Sequence, residues 1–197
     1  IGVIIGARLI HVIFWDFSYY FSNPLRILMI WKGGMAFHGG LLGASVVSYY
    51  FCKKKNISLA KLSDVIIIPT AFILALGRIA NFINGELVGT LSNASWCVEF
   101  KNFEGCRHPY QLYSSLKRFI VFGVLIFLNK FKHKDGFLFW IFIELIGIGR
   151  FFLDFVREDF RFLGLSAGQY LSLIMIIIGS YVLVKYYKED LKQVIWR

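Results

Sequence analysis

The sequence predicts an all-α integral membrane protein: a bundle of about six transmembrane helices with a small head outside the bilayer. Three observations predict it. Of the 197 residues 57% are hydrophobic and only 17% charged, against about a quarter charged in a typical soluble domain. The apolar residues come in runs approaching the roughly 20 needed to cross a bilayer. The lysines sit between those runs, as membrane-flanking charge does.

The runs give the helices in order: Ile1 to about Phe17, Met35–Phe51, Val65–Ile83, Leu116–Asn129, Phe137–Val156 and Ala167–Tyr187. Together they make one integral membrane domain over residues 1–197. No charged leader or small-residue cleavage site reads as a signal peptide. Lys53, Lys54, Lys55 and Lys61 fall after the second run, Lys130, Lys132 and Lys134 after the fourth, and Lys185, Lys188, Lys192 and Arg197 at or after the end of the sixth. All three clusters lie on one side, which the positive-inside rule makes cytoplasmic together with the C-terminus. The longest connection, residues 84–108, mixes both signs of charge and is expected to form the periplasmic head. Its Cys97 and Cys106 could pair there, although spacing alone leaves this open.

The net charge of +10 is a membrane signature rather than a nucleic-acid one, because no continuous polar stripe carries it. No metal-ligand cluster is visible in the sequence, and no cofactor is expected.

Ionisable residues inside a span are costly and therefore functional candidates. Most of them lie at the outer ends of the third and fifth runs. In GRIANFINGELVG (Gly77–Gly89), Arg78 and Asn81 are three apart on one helix face, and Asn84 and Glu86 follow where the chain leaves the helix. In GRFFLDFVRED (Gly149–Asp159), Arg150, Asp154 and Arg157 share a face at spacings of four and three, and Asp154 can pair with Arg150. His38 lies among the glycines of GGMAFHGGLLGA, where small residues allow close helix packing. Packing alone could account for the glycines; a histidine among them at the interface reads as readily as functional. Two arginines at one depth suit a phosphate, which guanidinium binds through parallel hydrogen bonds. Snorkelling to headgroups explains an isolated arginine well, but Arg78 with Asn81 and Glu86, plus Arg150 with Asp154, less well. Asp64 reads as a helix N-cap or an interface residue, and Glu144, deep in the fifth run, has no evident partner. Arg8 and His11, three apart in the first run, are candidates for the polar interior.

In this order, YFSNP, GGMAFHGGLLG, GRIANFINGELVG, RHPYQLY, GRFFLDFVRED and LSAGQYLS resemble the prolipoprotein diacylglyceryl transferases over nearly the whole chain. The resemblance implies transfer of the diacylglyceryl group of phosphatidylglycerol to the lipobox cysteine thiol of prolipoproteins. The expected product is a thioether, glycerol phosphate leaves, and the site faces the periplasmic leaflet of the bacterial inner membrane. The partners it implies are phosphatidylglycerol, prolipoprotein signal peptides with a lipobox cysteine, and membrane lipid, with no nucleic acid. Carried over by motif, His38, Arg78 and Arg150 are catalytic. By the same carry-over Asn81, Glu86, Gly89, His108, Gln111, Tyr113 and Asp154 bind substrate, and Asn84 and Arg157 join them from their places in the two charged stretches. The attacking thiol, with a pKa near about 8.5, needs a base, and His38 is the candidate, with a tyrosine or a water as alternatives. The departures from the family pattern are Ala80 for Gly, Ser114 for the Glu that ends HPxQLYE, Ile146 where relatives can carry Tyr, and Lys117 with Arg118 at the start of a span that is usually apolar. The family also carries one more span ahead of the position of Ile1, with a functionally important Tyr. A phosphatidyltransferase of the metal-dependent kind would need clustered aspartates. A transporter would need polar groups across the whole depth of the membrane, whereas here they gather at one leaflet.

Overall fold

The computed structural model describes residues 1–195, so Arg197 lies outside the described residues. The chain divides into two compact units, Ile1–Leu62 and from Ser63 onward.

In the first unit α1 (Gly2–Phe14) packs on α3 (Phe37–Lys55). Glycines set the distance between them. A Cβ on Gly6 would strike the carbonyl of Gly39, and one on Gly43 the carbonyl of Gly2, so these backbones touch without side chains between them. The connection holds a short α2 (Phe17–Ser22) and two 3-10 turns, Pro24–Leu28 and Ile30–Lys32. Arg8, 5% exposed, organises that connection. Its guanidinium donates to the carbonyls of Arg26 (2.6 Å), Ile27 (2.8 Å), Gly33 (2.5 Å) and Gly34 (2.9 Å), and it lies over the Tyr20 ring. Carbonyl dipoles thus neutralise a cation that bare hydrocarbon would reject. Beside it Gly34, at φ +78°, leaves room for Arg8 and His11, and His11 pairs with Asp16 at 3.5 Å.

In the second unit four helices, α4 (Leu59–Ile83, its first turn belonging to the preceding unit), α5 (Tyr110–Leu128), α6 (Phe137–Leu153) and α7 (Ala167–Tyr186), carry the core. That core joins Ile67 and Ala71 of α4, Leu125 and Leu128 of α5, Phe137 and Phe142 of α6, and Leu183 of α7. These come from the start of α4 and α6 and the end of α5 and α7, so the helices run up and down in alternation. One end of the bundle is an apolar core, and the other is left for polar groups. The outer surface is the reverse of a soluble protein. On α7, Leu171, Ile174, Ile178 and Tyr181 are exposed while Gly168, Ser172 and Gly179 are buried, as expected where lipid is the solvent.

Three of the described helices, α4, α5 and α7, are long and apolar enough to cross a membrane. Helix α1 has 13 residues, α6 has 17, and α3 has 19 that end in Lys53, Lys54 and Lys55. Two boundaries differ from expectation. Helix α5 starts at Tyr110 rather than Leu116, because Pro109 precedes its first turn and its early polar residues point inward. Helix α6 stops at Leu153, and the 3-10 turn Asp154–Val156 completes the run.

The connection between α4 and α5 is a small folded segment. Strands β1 (Val98–Glu99) and β2 (Cys106–Arg107) pair antiparallel, and a Cys97–Cys106 disulfide closes the hairpin. Single bridges join Leu91 to Arg107 and Gly89 to Arg157, and the side chain of Arg107 pairs with Glu158, which fastens this segment to the connection between α6 and α7. That connection forms its own hairpin, β3 (Arg161–Phe162) with β4 (Leu165–Ser166). Ser166 and Gln169 then form a reciprocal capping box at the start of α7. A short α8 (Lys188–Ile195) follows α7.

Asp64 caps a helix, though not its own. It lies within α4, 6% exposed, and accepts from the backbone N–H of Gly136 (2.6 Å) and of Phe139 (2.8 Å) at the start of α6. Two orphan donors of a helix end are thereby satisfied across the bundle. Glu144 finds a partner on α7, accepting from the Ser180 hydroxyl at 2.8 Å. Replacing Asp64 with Ala is expected to lower stability by about 1–2 kcal/mol, the cost of losing a cap. Thermal unfolding in detergent checks this; a midpoint equal to the parent's would show that Asp64 is not the cap that holds α6.

Candidate active site

The polar end of the second unit is built around Asp154, whose side chain is fully buried. One carboxylate oxygen accepts from the Tyr110 hydroxyl at 2.6 Å, and the other from Nε of Arg150 at 3.3 Å. Gly168 makes room for this pair, since a Cβ there would lie 2.5 Å from the carboxylate and 2.6 Å from the guanidinium. Arg157 lies over the Tyr110 ring at 5.8 Å and pairs with Asp159 at 3.4 Å. From α4, Arg78 reaches the same cluster and interacts electrostatically with Tyr110, Arg157, Arg150 and Asp154. Helix α5 adds Lys117 and Arg118, both within electrostatic reach of Arg78, Arg150 and Asp154.

Five basic side chains therefore lie within electrostatic reach of one another and of Asp154, and one of them, Arg157, also pairs with Asp159. Three of their buried nitrogens, Nη1 of Arg78, Nε of Arg118 and Nε of Arg157, have no hydrogen-bond partner among the described residues. Buried donors of this kind cost free energy unless something accepts from them. Excess positive charge with unspent donors, in an apolar bundle, is what an anion receptor requires.

The motif after α4 closes one side. Gly85 at φ +67° and Leu87 at φ +55° turn the chain back, and the N–H of Glu86 donates to the carbonyl of Asn81 at 2.9 Å. Asn81 in turn donates to the Glu86 carboxylate at 2.9 Å. Gln111, fully buried beside Tyr110, donates to the carbonyl of Glu86 at 2.6 Å and so ties this turn to α5. Gly89 is wedged where any side chain would meet His108 and Val156, and its N–H donates to the carbonyl of His108. His108 lies 3.3 Å from the Tyr113 hydroxyl, which also accepts from the Trp96 indole at 2.7 Å.

The structure thus brings together Arg78, Arg150, Arg157 and Asp154, with Asn81, Glu86 and Gln111 alongside. Gly89, His108 and Tyr113 form an adjoining structural layer. Asn84 is exposed and lines a separate cleft with Phe82, Phe100 and Lys101, of about 340 Å³. His38 lies in the first turn of α3, in the other unit, and is exposed. Sequence reasoning passed over Tyr110, Lys117 and Arg118 as site residues. The signal was available in Tyr110, Ser114 and Arg118, which recur every four residues on one face once the helix is begun at Tyr110.

A helical bundle with an apolar outer surface and a cluster of buried basic side chains at one end defines the class, a helical membrane protein. Residues 1–185 match the family described as prolipoprotein diacylglyceryl transferase. Among relatives named phosphatidylglycerol–prolipoprotein diacylglyceryl transferase, that of Geobacter sulfurreducens is 40% identical over 91% of this chain and 72% of its own length. That of Polynucleobacter asymbioticus is 41% identical over 93% and 73%, and that of Rickettsia rickettsii 41% over 93% and 74%. The chain belongs to the prolipoprotein diacylglyceryl transferase family.

If Asp154 holds the cluster together, Asp154→Ala is expected to cost about 3 kcal/mol or more of stability, because it leaves buried cations uncompensated. Tyr110→Phe, which removes one hydrogen bond, is expected to cost about 1 kcal/mol. Denaturant unfolding of the two variants in detergent separates them, and equal losses would show that Asp154 is not the anchor.

Proposed function

We propose that the cationic pocket around Asp154 is where this enzyme holds the phosphate of phosphatidylglycerol while its diacylglyceryl group passes to a prolipoprotein. The enzyme carries out that transfer, the first step of lipoprotein maturation. The observation that carries the assignment to this pocket is the convergence of Arg78, Arg150 and Arg157 with buried N–H atoms of Arg78 and Arg157 left without acceptors.

In this reading the lipobox cysteine thiol attacks the glycerol carbon that bears the phosphate ester. A carbon–sulfur bond forms as the carbon–oxygen bond breaks, and glycerol phosphate departs with the electron pair. Arg78 and Arg150 bind the phosphate and stabilise the charge that grows on it. Asp154, fixed by Tyr110, aims Arg150. Asn81, Glu86 and Gln111 orient the glycerol headgroup, with Arg157, Gly89, His108 and Tyr113 completing the substrate-binding set and Asn84 contributing from the neighbouring cleft that it lines. His38 takes the thiol proton.

The protein crosses the bacterial inner membrane six times within this chain, with its C-terminus cytoplasmic and residues 84–108 forming a periplasmic head on a single integral membrane domain. Support for this orientation comes from the basic residues. Lys130, Lys132 and Lys134 join α5 to α6, and Lys188 and Lys192 follow α7, all at the apolar end of the second unit. The arginine pocket is at the opposite end, which this orientation makes the periplasmic leaflet.

Arg78→Ala is expected to leave the protein inserted and to reduce transfer at least 10²-fold, the usual loss for a charge-stabilising donor. Incorporation of labelled diacylglyceryl into a lipobox peptide measures this, and near-normal incorporation would remove Arg78 from the site. His38→Gln is expected to lose activity at neutral pH and to regain part of it as the pH approaches that of free thiol ionisation, near about 8.5. An unchanged rate at neutral pH would take His38 out of the proton-accepting role.

A further inference from the structure

Lys117 and Arg118 lie in α5, seven and eight residues on from Tyr110, and the reaction as described does not need them to hold a phosphodiester. Arg118 is 8% exposed. It donates to the backbone carbonyl of Ser114 at 2.9 Å and also to the Ser114 hydroxyl. Its Nε is buried without an acceptor. Ser114, 1% exposed, is a neutral acceptor, and α5 itself carries no carboxylate that could neutralise Arg118. The stem of Lys117 runs along Gly149, the neighbour of Arg150 in the chain, where a Cβ would collide with it. Both cations interact with Arg78, Arg150 and Asp154.

With Arg78, Arg150 and Arg157 the pocket gathers five basic side chains against Asp154 and Asp159, a formal excess of 5 − 2 = +3. A phosphodiester carries one negative charge. Cleaving the carbon–oxygen bond turns it into a phosphomonoester, which carries nearly two at neutral pH. Charge on the phosphate therefore grows along the reaction, and cations beyond those that bind the diester favour the later species.

We propose that Lys117 and Arg118 form a second cationic pair in the phosphate seat, and that this pair makes the pocket selective for the departing glycerol phosphomonoester over the phosphodiester headgroup. The proposal rests on the assignment of the pocket to phosphatidylglycerol. The two residues touch the phosphate directly, with Arg118 supplying its Nε hydrogen and Lys117 its ammonium. They strengthen transition-state and product binding more than binding of the lipid substrate. Removing them lowers kcat with little change in KM.

The test uses the full chain in detergent and two soluble probes, glycerol phosphate (a monoester) and glycerophosphoglycerol (a diester), with binding measured by calorimetry and turnover measured separately with phosphatidylglycerol and a lipobox peptide. The parent protein is expected to bind the monoester at least roughly tenfold more tightly than the diester, since one further charge-assisted hydrogen bond is worth about that factor. In Arg118→Gln and Lys117→Gln that preference is expected to shrink toward unity and kcat to fall, while Arg118→Lys restores part of both. Equal binding of the two probes by the parent overturns the proposal, as does a preference that survives in a folded Arg118→Gln or Lys117→Gln protein. Should a variant fail to fold, the comparison of the two probes on the parent still decides. Failure of the assignment itself looks different: neither probe binds the parent, or Arg78→Ala leaves the binding of both unchanged.

Discussion

The second unit depends on keeping an excess of positive charge inside a helical bundle whose outer surface is made for lipid. Burying one ionised side chain in hydrocarbon costs several kcal/mol, and like charges near one another add to that. Asp154 offsets part of the cost, because its fully buried carboxylate takes the Tyr110 hydroxyl on one side and Arg150 on the other. Asp154 and Asp159 together do not neutralise five basic side chains, and three buried nitrogens have no acceptor among the described residues. An anion in the proposed site would supply the missing acceptors and offset the like charge, and that binding energy would be available for positioning and charge stabilisation.

The rest of the unit keeps that arrangement in place. At one end Ile67, Leu125, Phe137 and Phe142 fill the interior, and Asp64 secures the start of α6 by capping it from α4. That end needs nothing polar from outside. At the other end the helices finish in connections that are fastened to one another: the Cys97–Cys106 hairpin, the Gly89–Arg157 bridge, and Arg107 with Glu158. These ties fix where α4 ends relative to α6 and α7, and hence where Arg78 stands relative to Arg150. In the first unit a comparable problem is met differently. Arg8 is neutralised by backbone carbonyls rather than by a carboxylate, which leaves it no hydrogen-bonding capacity for an outside anion and marks it as structural.

Much of this was legible in the sequence. Lipid as the solvent, the helix order, the third and fifth runs as carriers of the charged residues, and the pairing of Arg150 with Asp154 all follow from hydropathy and helical spacing. Hydropathy alone misplaced the start of α5. The stretch from Tyr110 to Ser115 looks like loop because its residues are polar, yet Tyr110, Gln111, Ser114 and Ser115 are buried on the inner face of a helix. In a membrane protein the inside can be more polar than the outside, so a polar run may be a helix that faces its neighbours. The same error hid Lys117 and Arg118, which read as charges at a helix start and are in fact seven and eight residues into α5 from Tyr110. Asp64 was legible as a capping residue but not as the cap of α6, because a bond between residues 64 and 136 depends on how the helices pack. The ties between Gly89, His108 and Arg157 depend on packing in the same way.

The central claim is that one phosphate sits among the arginines of this pocket. The most direct measurement is a structure of the full chain in a lipid nanodisc containing phosphatidylglycerol. The account predicts headgroup density with phosphate oxygens within about 3 Å of the guanidinium nitrogens of both Arg78 and Arg150. A headgroup seated elsewhere on the protein, with these guanidiniums turned to other protein groups, would contradict it.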